Sequence, residues 1–489
     1  MRTRYIAYYI WIVIALLGVV CWIVPEDGWN IGGYNLRFPT LAEALDMNDG
    51  EAVSDGEAVS VGEAVKNGEA VSVGEAVSDG EAGIVGEAVN DGEAVSVGEA
   101  VSVGEAVNVG EAVSVGEAVN VGEESKGVSN YLSAFYQALD NATNIPVRII
   151  HYGDSQIEED RITDILREQW QKKYGGGGAG LLPLHQTIPT RTLRQWISIN
   201  GKVQTAQGGP KRYLVYGPRS MRLDTTLYGV MGQVAMMDST KVKGSEDIVM
   251  NIEPINKKHK PHNYFNRLRV LTDSVSGYVI AQDTTLYFTD STPIIIPDST
   301  TKCEIHLHGK GNVYGISLET ATGVIVDNIP MRGCSGNIFT KMDSAQLSQF
   351  YRETNTRLII LQFGGNMIPQ TENPSTISGY VRTTLRQQVR YLKACAPQAS
   401  ILFIGPSDMS TNIDGKMTTY PLVPYMDKQL KKMADEEQIA YWSIYNAMGG
   451  YNSMVTWVEK GLAGSDYVHF TRAGANNIGK KLYNWIEER

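Results

Sequence analysis

The chain has 489 residues, of which 43% are hydrophobic and 20% are charged, the proportions of a protein that buries a core. Its net charge of −11 is concentrated in residues 50–121, which hold twelve Glu, three Asp and one Lys. No Lys/Arg-rich stripe occurs elsewhere, which argues against a nucleic-acid partner, and four cysteines in a chain of this length exclude a disulfide scaffold. No Cys/His pattern has the spacing of a metal site, so neither a metal nor another cofactor is expected.

The N-terminal region carries an apolar run at residues 5–24, with 20 uncharged positions in succession. As a helix this run would rise about 30 Å, which is the thickness of the hydrocarbon layer of a bilayer. Arg2 and Arg4 precede it, and Glu26 and Asp27 follow it. The positive-inside rule then keeps the N-terminus in the cytoplasm and exports the rest of the chain.

Residues 1–27 are therefore predicted to be a single-pass membrane anchor, and residues 28–49 a connector. The exported body would lie in a periplasm or outside the cell, and the sequence leaves that choice open. A cleaved signal peptide is disfavoured because no small-x-small cleavage site follows the apolar run. Lipidation of Cys21 is disfavoured because the small residue expected directly before such a cysteine is missing.

A six-residue unit of the type GEAVSV repeats twelve times from Gly50 to Val121, and a thirteenth copy begins at residue 122. Recurrent Gly and Glu without aromatic residues favour a flexible, self-repelling spacer over residues 50–124. The alternative is a left-handed β-helix, because the phase Val-Gly-Glu-Ala-Val-Ser resembles hexapeptide solenoid repeats. That alternative would place polar residues where an inward aliphatic is needed, at Asp55, Asn67, Asp79 and Asp91.

The periodicity changes after residue 125. Residues 129–140 have apolar residues at helical spacing, and residues 147–152 form an apolar run typical of a buried strand. Gly153-Asp154-Ser155 follows directly, and an amphipathic helix is predicted over residues 161–173, ended by the glycines at 175–178. Strand, tight turn and helix in this order indicate the opening of an α/β domain.

Residues 190–320 differ, because short β-rich runs alternate with Asp, Ser, Thr and Gly turns, a pattern typical of a sandwich or jelly roll. The α/β rhythm returns afterwards. Strands are predicted at 324–326, 358–362, 401–404 and 439–442, and helices at 375–395, 424–437 and 473–488. The sequence thus predicts one α/β domain, residues 125–189 and 321–489, interrupted by an inserted all-β, jelly-roll-like domain at 190–320.

Ser155 is the first candidate for chemistry. It follows the first strand, and open α/β sheets bind ligands at the carboxyl ends of their strands. A Ser that opens a helix lies near unpaired backbone N–H groups, which favour an oxyanion together with the positive helix end. Ser155 is therefore a candidate nucleophile, with a simple helix N-cap as the alternative.

The C-terminal region offers a base. His469 lies three residues after Asp466, just before a predicted helix. An imidazole can take the proton of a serine hydroxyl, and a carboxylate on its other nitrogen fixes the tautomer. Asn366 directly follows another strand and could offer its amide N–H to an oxyanion. Gly333 follows a further strand and could donate a backbone N–H from close range.

These blocks resemble the SGNH/GDSL hydrolase family, which is named for a Ser, a Gly, an Asn and a His in this chain order. The matching residues are Gly153-Asp154-Ser155, Gly333, Gly364-Gly365-Asn366 and Asp466 through His469. The resemblance covers about half of the chain and implies a flavodoxin-like three-layer α/β domain.

The resemblance also implies roles for these residues. Ser155 would be the nucleophile, His469 the base and Asp466 the group that orients the base. The oxyanion hole would consist of the backbone N–H groups of Ser155 and Gly333 and the amide of Asn366, with Gly336 as a rival for the glycine position.

Its inserted β-rich segment makes the chain similar to exported bacterial members that deacetylate cell-wall glycans. This similarity implies a serine esterase that removes short acyl groups, such as O-acetyl, from peptidoglycan or another acylated polysaccharide, and a carbohydrate-binding role for the insert. Two alternatives stay open: an O-acetyltransferase with the same triad, and a non-catalytic glycan-binding surface protein. Among the other candidates, His151 is expected in the core, and His306 and His308 are expected as solvated strand residues.

Overall fold

The computed structural model describes residues 130–488 except 206–207, 241, 245, 257 and 259, together with the backbone of two short antiparallel strands, β1 (Trp29–Ile31) and β2 (Tyr34–Leu36). The predicted membrane anchor and the hexad repeat lie outside the described residues. Among the residues that are described, no helix is both long enough and apolar enough to span a bilayer.

The α/β domain begins with helix α1 (Ser133–Asp140) and strand β3 (Val147–Gly153). Every residue of β3 is buried, as its uninterrupted apolar run predicts. A 3₁₀ helix at Ser155–Asp160 follows, and then helix α2 (Thr163–Tyr174), which ends at Gly175 with a φ of 73°. The predicted strand, turn and helix are therefore present, although an extra short helix lies between turn and α2.

The inserted region consists of two antiparallel sheets that share one apolar interior. Its strands are β4 (Gly180–Leu182), β5 (Leu193–Ile199), β6 (Lys202–Val203), β7 (Lys211–Leu214), β8 (Gln233–Met237), β9 (Asp247–Pro254), β10 (Phe265–Asp273), β11 (Ser276–Ala281), β12 (Thr284–Phe288), β13 (Ile294–Thr300), β14 (Cys303–His308) and β15 (Gly311–Glu319). One sheet has the order β13-β10-β15-β8-β7, with β4 also paired to β15, and the other has the order β12-β11-β14-β9-β5-β6. The sandwich predicted from the turn-rich sequence is therefore present, and its strand β4 lies ahead of the boundary predicted at residue 190. The domain boundaries themselves stay predictions.

The chain then returns to the α/β domain. Its elements are β16 (Val324–Pro330), α3 (Ser344–Glu353), β17 (Thr356–Gln362), α4 (Pro374–Tyr380), α5 (Arg386–Cys395), β18 (Ser400–Ile404), β19 (Ser410–Ile413), β20 (Lys416–Thr419), α6 (Val423–Glu436), β21 (Ala440–Trp442), α7 (Ile444–Met448), α8 (Ser453–Glu459) and α9 (Arg472–Glu487). A π-helical turn at Val381–Leu385 joins α4 to α5, so the single helix predicted at 375–395 is continuous.

Five parallel strands form the central sheet, in the order β16-β3-β17-β18-β21. Numbered along the chain, this is the order 2-1-3-4-5 of flavodoxin-like folds, as the family resemblance implied. The direction of winding reverses between β3 and β17. A crevice therefore opens outside the carboxyl ends of these two strands, and this is where ligands bind in such sheets.

Helices cover both faces of the central sheet. Ile150 and Tyr152 on β3 belong to a core cluster shared with α3, α5 and α6, whereas Ile149 belongs to a cluster shared with α1, α2 and α9. Alternate residues of one strand thus enter opposite layers, because successive side chains of a strand point to opposite faces. The three-layer architecture follows directly from this alternation.

The two chain crossings between the domains lie side by side and form a glycine neck, made of Gly175–Gly178 and Gly323. A Cβ atom on Gly176 would lie 2.4 Å from the backbone nitrogen of Val324, and one on Gly323 would lie 2.1 Å from that of Gly176. Only glycine allows two backbones to approach so closely. The inserted sandwich therefore leaves and re-enters the α/β domain at one place.

A buried charge cluster also connects the two domains. The guanidinium of Arg148 on β3 donates to both carboxylate oxygens of Asp327 on β16, at 2.9 and 3.0 Å. Its second terminal nitrogen donates to Ser317 and Glu319 on β15 of the insert, at 3.0 and 2.6 Å. Arg148 is completely buried. Two domains that share such a buried ion-paired cation are fixed relative to each other, since separating them would strand buried charges.

The three cysteines within the described residues, Cys303, Cys334 and Cys395, are buried and free. The sequence left open whether any two of them pair. Since each carries a reduced thiol in an apolar environment, they serve as small core residues.

Candidate active site

The first element of the site is the turn after β3. Asp154 accepts a hydrogen bond on Oδ1 from the backbone N–H of Gln156 at 2.9 Å and so caps the short 3₁₀ helix. Ser155 is the first residue of that helix and is only partly buried. This geometry places the hydroxyl at the carboxyl edge of the sheet, at the crevice between β3 and β17.

The second element is the loop before α9. Asp466 Oδ1 accepts the backbone N–H groups of Val468 and His469, both at 3.0 Å, and its Oδ2 lies 2.8 Å from His469 Nδ1. One carboxylate therefore shapes the loop and orients the imidazole. Burial acts to raise the pKa of Asp466, but the hydrogen bonds from His469 and Val468 outweigh it, so the pKa lies below its usual value.

The structure brings these two elements together. Ser155 Oγ lies 2.8 Å from His469 Nε2, although the two residues are 314 positions apart in the chain. Gln156, the neighbour of Ser155, links the two loops, since its Nε2 donates to the backbone oxygen of Val468 at 2.6 Å and to Ser407 Oγ at 3.1 Å. A hydroxyl, an imidazole and a carboxylate thus form one hydrogen-bonded chain, as the sequence motifs predicted.

Asn366 lies in a 3₁₀ helix, Gly365–Gln370, directly after β17. Its Nδ2 donates to Asp154 Oδ2 at 3.0 Å and to the backbone oxygen of Cys334 at 3.1 Å. Burial raises the pKa of the Asp154 carboxyl to about 6. This contact was not foreseen from the sequence, where Asp154 was only the middle residue of a motif, and it fixes the direction of the Asn366 amide.

The two rival glycines differ in their surroundings. Gly333 is exposed, and a Cβ added to it would meet no atom within 4 Å. Gly336 is buried, its N–H donates to the Cys334 sulfur, and an added Cβ would lie 2.9 Å from Cβ of Phe363. Since the Gly336 N–H already has a partner, the geometry favours Gly333 as a donor to a ligand.

A cavity of about 340 Å³ opens beside Ser155 and Asn366. Its walls include Pro406, Met409 and Tyr420, so a small apolar group next to the hydroxyl would find contacts. Within the described residues, no cluster of His, Cys, Asp and Glu side chains could hold a metal ion.

His151 lies behind the site and does not reach the cavity. It is fully buried, with Nδ1 2.9 Å from Thr163 Oγ1 and Nε2 3.1 Å from Gln362 Oε1. Burial lowers its pKa to about 4, so the ring is neutral at physiological pH. The sequence expectation of a core histidine is confirmed. His306 and His308 lie on β14 of the insert beside Glu304 and Asp247, respectively.

Residues 298–476 match the model of the GDSL-like Lipase/Acylhydrolase family. The matched stretch contains Gly333, Asn366, Asp466 and His469. It does not contain Ser155, because the inserted sandwich separates the first block from the rest of the α/β domain. No curated protein sequence matches the chain.

Among solved structures, a peptidoglycan O-acetylesterase matches with a TM-score of 0.55 and 20% identity, over 73% of this chain and 95% of its own. A family two carbohydrate esterase from Cellvibrio japonicus matches with a TM-score of 0.23 and 11% identity, over 60% of this chain and 99% of its own. An acetyl xylan esterase has a TM-score of 0.24 and 11% identity, over 33% of this chain and 80% of its own. The first likeness shows a shared fold, and the other two are too weak to support an argument.

Proposed function

We propose that Ser155, His469 and Asp466 are the catalytic triad of this serine acyl-ester hydrolase, whose residues 298–476 match the model of the GDSL-like Lipase/Acylhydrolase family. We further propose that its substrate is an O-acetyl ester on a cell-envelope or extracellular polysaccharide. The observation that carries the first proposal is the hydrogen-bonded chain from Ser155 Oγ through the His469 ring to Asp466 Oδ2, with both distances at 2.8 Å.

In the first half of the reaction, His469 Nε2 removes the proton as Ser155 Oγ attacks the ester carbonyl. Asp466 accepts from His469 Nδ1 and stabilises the imidazolium that forms. The tetrahedral intermediate collapses, His469 gives the proton to the departing sugar hydroxyl, and the acyl group stays on Ser155. In the second half, water attacks the acyl carbonyl with His469 again as base, which releases the acid and restores the serine hydroxyl.

The oxyanion is held by the backbone N–H groups of Ser155 and Gly333 and by the Asn366 amide in this proposal. Asn366 Nδ2 uses its hydrogens on Asp154 and on the Cys334 backbone. To bind the oxyanion, the Asn366 amide must therefore either share one of these hydrogens between its present acceptor and the oxyanion, or redirect that hydrogen towards the oxyanion. Each such donor typically lowers the barrier by about 3–4 kcal/mol.

The proposed acyl group is short. The cavity beside Ser155 measures about 340 Å³, and Pro406 and Met409 line it close to the catalytic serine, which supports a small acyl group such as acetyl. The polysaccharide part of the proposal draws on the likeness in fold to a peptidoglycan O-acetylesterase. It also draws on the presence of a β sandwich beside the site.

We also propose that the chain is anchored through residues 5–24 with its catalytic body exported. The apolar length and the flanking charges of that segment support this proposal. Fractionation of cells that express the whole chain should recover it in membranes after alkaline washing, and a chain that starts at residue 28 should be released. Recovery of the whole chain in the soluble fraction would contradict the anchor.

Replacement of the nucleophile tests the esterase. Ser155→Ala should abolish hydrolysis of p-nitrophenyl acetate and labelling by a fluorophosphonate, with unchanged circular dichroism. Ser375→Ala, at an exposed serine at the start of α4, serves as the matched control and should keep full activity. Full activity of Ser155→Ala would refute the proposed nucleophile.

The O-acetyltransferase alternative uses the same residues, so only product analysis separates it from the esterase. With an O-acetylated glycan as donor, an esterase releases acetate in step with loss of the ester, whereas a transferase moves acetyl to a second glycan. The family assignment makes the chain an enzyme and leaves the non-catalytic alternative without support.

A further inference from the structure

A second cavity, of about 320 Å³, lies at the junction of the two domains. Glu158, Asp160 and Arg332 of the α/β domain form one side of this junction cavity, and Leu214 and Gln233 of the insert lie on the other. Because each domain supplies one wall, the cavity exists only where the insert is seated on the α/β domain.

Two residues that line the junction cavity lie close in the chain to residues of the proposed active site. Glu158 follows Ser155 by three residues, which can span at most about 10 Å of chain. Arg332 directly precedes Gly333, and its guanidinium pairs with both oxygens of the Glu158 carboxylate, at 2.8 Å from Nε and 2.5 Å from Nη2. A chain-like substrate with its ester at Ser155 can therefore reach this cavity with a neighbouring unit.

The buried charges in the cavity wall are already paired, and the partly exposed Arg212 donates to Thr187 at 3.3 Å. Glu158 binds Arg332, and Asp160 accepts two hydrogen bonds from the guanidinium of Arg167, at 2.5 and 3.1 Å. Glu158, Asp160 and Arg167 are almost completely buried. An uncharged polar ligand can therefore enter the cavity without displacing either of these buried ion pairs.

One polar group in the cavity wall has no partner. Gln233 is 9% exposed, and its Oε1 is buried without a hydrogen-bond partner in the part of the chain that the structure describes. Such an acceptor is costly unless a donor reaches it. Leu214 and Met231 supply apolar surface in the same cavity. A ligand with an O–H or N–H donor and an apolar C–H face would satisfy both features.

We propose that the junction cavity is a sugar-binding subsite, which takes an uncharged pyranose ring with hydroxyl or acetamido groups from the glycan chain whose ester is cleaved at Ser155. This inference rests on the proposed function for its glycan substrate. It assigns Gln233 of the insert as the acceptor for a sugar O–H or N–H group. It also gives the insert a role in holding the chain next to the ester.

Binding without turnover tests the subsite. Chitotriose, an acetamido-bearing trisaccharide without an ester, is titrated into the full chain by isothermal calorimetry. It should bind the natural chain, and Gln233→Leu should weaken this binding at least tenfold. Thr285→Trp, on an exposed position of β12 in the same insert, is the control and should bind as the natural chain does. No binding to the natural chain, or equal binding to Gln233→Leu, would overturn the proposal.

A second variant guards against a loss that comes from misfolding. Ile188 lines the cavity at a partly exposed position, and Ile188→Trp would fill the space instead of removing a polar contact. It should weaken chitotriose binding in the same way. In both variants the ratio of kcat/KM for O-acetylated peptidoglycan fragments to that for p-nitrophenyl acetate should fall about tenfold. Chitotriose binding in a chain without esterase activity would leave the subsite standing and refute only the proposed function. An esterase that does not bind chitotriose would refute only the subsite.

Discussion

We expect the substitution Asp154→Asn to lower the rate of ester hydrolysis and, independently, to change how the stability of the fold depends on pH. Asp154 is 6% exposed, and its carboxylate accepts from Gln156 N–H and from Asn366 Nδ2. An Asn side chain has nearly the same shape but keeps one acceptor oxygen and gains a donor. If the oxygen of the new side chain keeps the hydrogen bond from the Gln156 N–H, its NH₂ group faces the NH₂ group of Asn366. Two donors then oppose each other and no hydrogen bond forms. Asn366 can restore the hydrogen bond only by rotating its own amide, which exchanges its nitrogen for its oxygen and gives up its hydrogen bond to the Cys334 backbone oxygen.

The rotated Asn366 would no longer donate to the oxyanion. Loss of one such donor typically lowers kcat by about 10²-fold or more. We therefore expect Asp154→Asn to slow the hydrolysis of p-nitrophenyl acetate roughly 10²-fold, with Ser155 and His469 untouched.

The stability of the variant should depend on pH in a defined way. Burial raises the pKa of Asp154 from its ordinary 3.8 to about 6. The folded chain thus keeps a proton up to about pH 6 that the unfolded chain releases near pH 4, so this group removes stability as the pH rises between those values. At about 1.36 kcal/mol per pKa unit, the loss is on the order of 3 kcal/mol and is complete above pH 6. Asn does not ionise and escapes this loss.

The free energy of unfolding is measured by urea titration of both chains at pH 4, 5, 6 and 7, with tryptophan fluorescence as the signal. The difference between variant and natural chain should shift by about 2 kcal/mol in favour of the variant from pH 4 to pH 7, because part of the loss has already occurred at pH 4. Asp427→Asn is the matched control: burial also raises the pKa of Asp427 to about 6, but it binds Tyr441 and Ser443 away from the cavity. It should show the same pH dependence with an unchanged rate. An unchanged rate in Asp154→Asn, or parallel stability curves, would refute the reasoning.

Three further outcomes are expected. Asp466→Asn should turn the imidazole to the wrong tautomer and lower kcat by roughly 10⁴-fold, as measured by initial rates, with KM little changed. Gly336→Ala should destabilise the fold by clearly more than Gly333→Ala. Gly336 has a φ of 96°, and an added Cβ would contact Phe363. Gly333 has a φ of 71° and faces open space, so its replacement carries only a conformational cost of about 1–2 kcal/mol. Equal melting temperatures would contradict this. Arg148→Met should leave the buried Asp327 without its cationic partner, whereas Glu319 keeps Arg267 and Arg269 nearby. This should cost about 3–5 kcal/mol, which thermal unfolding would detect; an unchanged Tm would contradict it.

Much of the fold could be predicted from local pattern. The apolar runs that form β3, β17 and β18 are fully or almost fully buried. Such runs are typical of a parallel sheet that is covered on both faces. Helix α3 (Ser344–Glu353) was not predicted, although Leu347, Phe350 and Tyr351 have helical spacing and are buried. Its short amphipathic pattern, flanked by polar residues, was too weak to distinguish from a loop.

The sequence identified the residues of the candidate site, but it did not predict every contact between them. Ser155, Asn366, Asp466 and His469 follow predicted strands or precede a predicted helix, so their places in the chain indicated the carboxyl edge of the sheet. The hydrogen bond from Asn366 to Asp154 and the raised pKa of Asp154 could not be foreseen. They arise from burial and from the approach of residues 212 positions apart, which one sequence does not reveal.

Attachment at the glycine neck restricts how the sandwich can move. A domain tethered by one linker can swing or be pulled away, whereas one joined by two adjacent crossings behaves as an appendage with a single fixed pose. Its seating also depends on contacts away from the neck, since Arg148 binds Ser317 and Glu319 on β15 and Tyr152 donates to the backbone oxygen of Val230. Because both crossings lie at the neck, evolution could exchange the insert without interrupting the five-stranded central sheet, provided that a replacement keeps the partners of Arg148 and Tyr152.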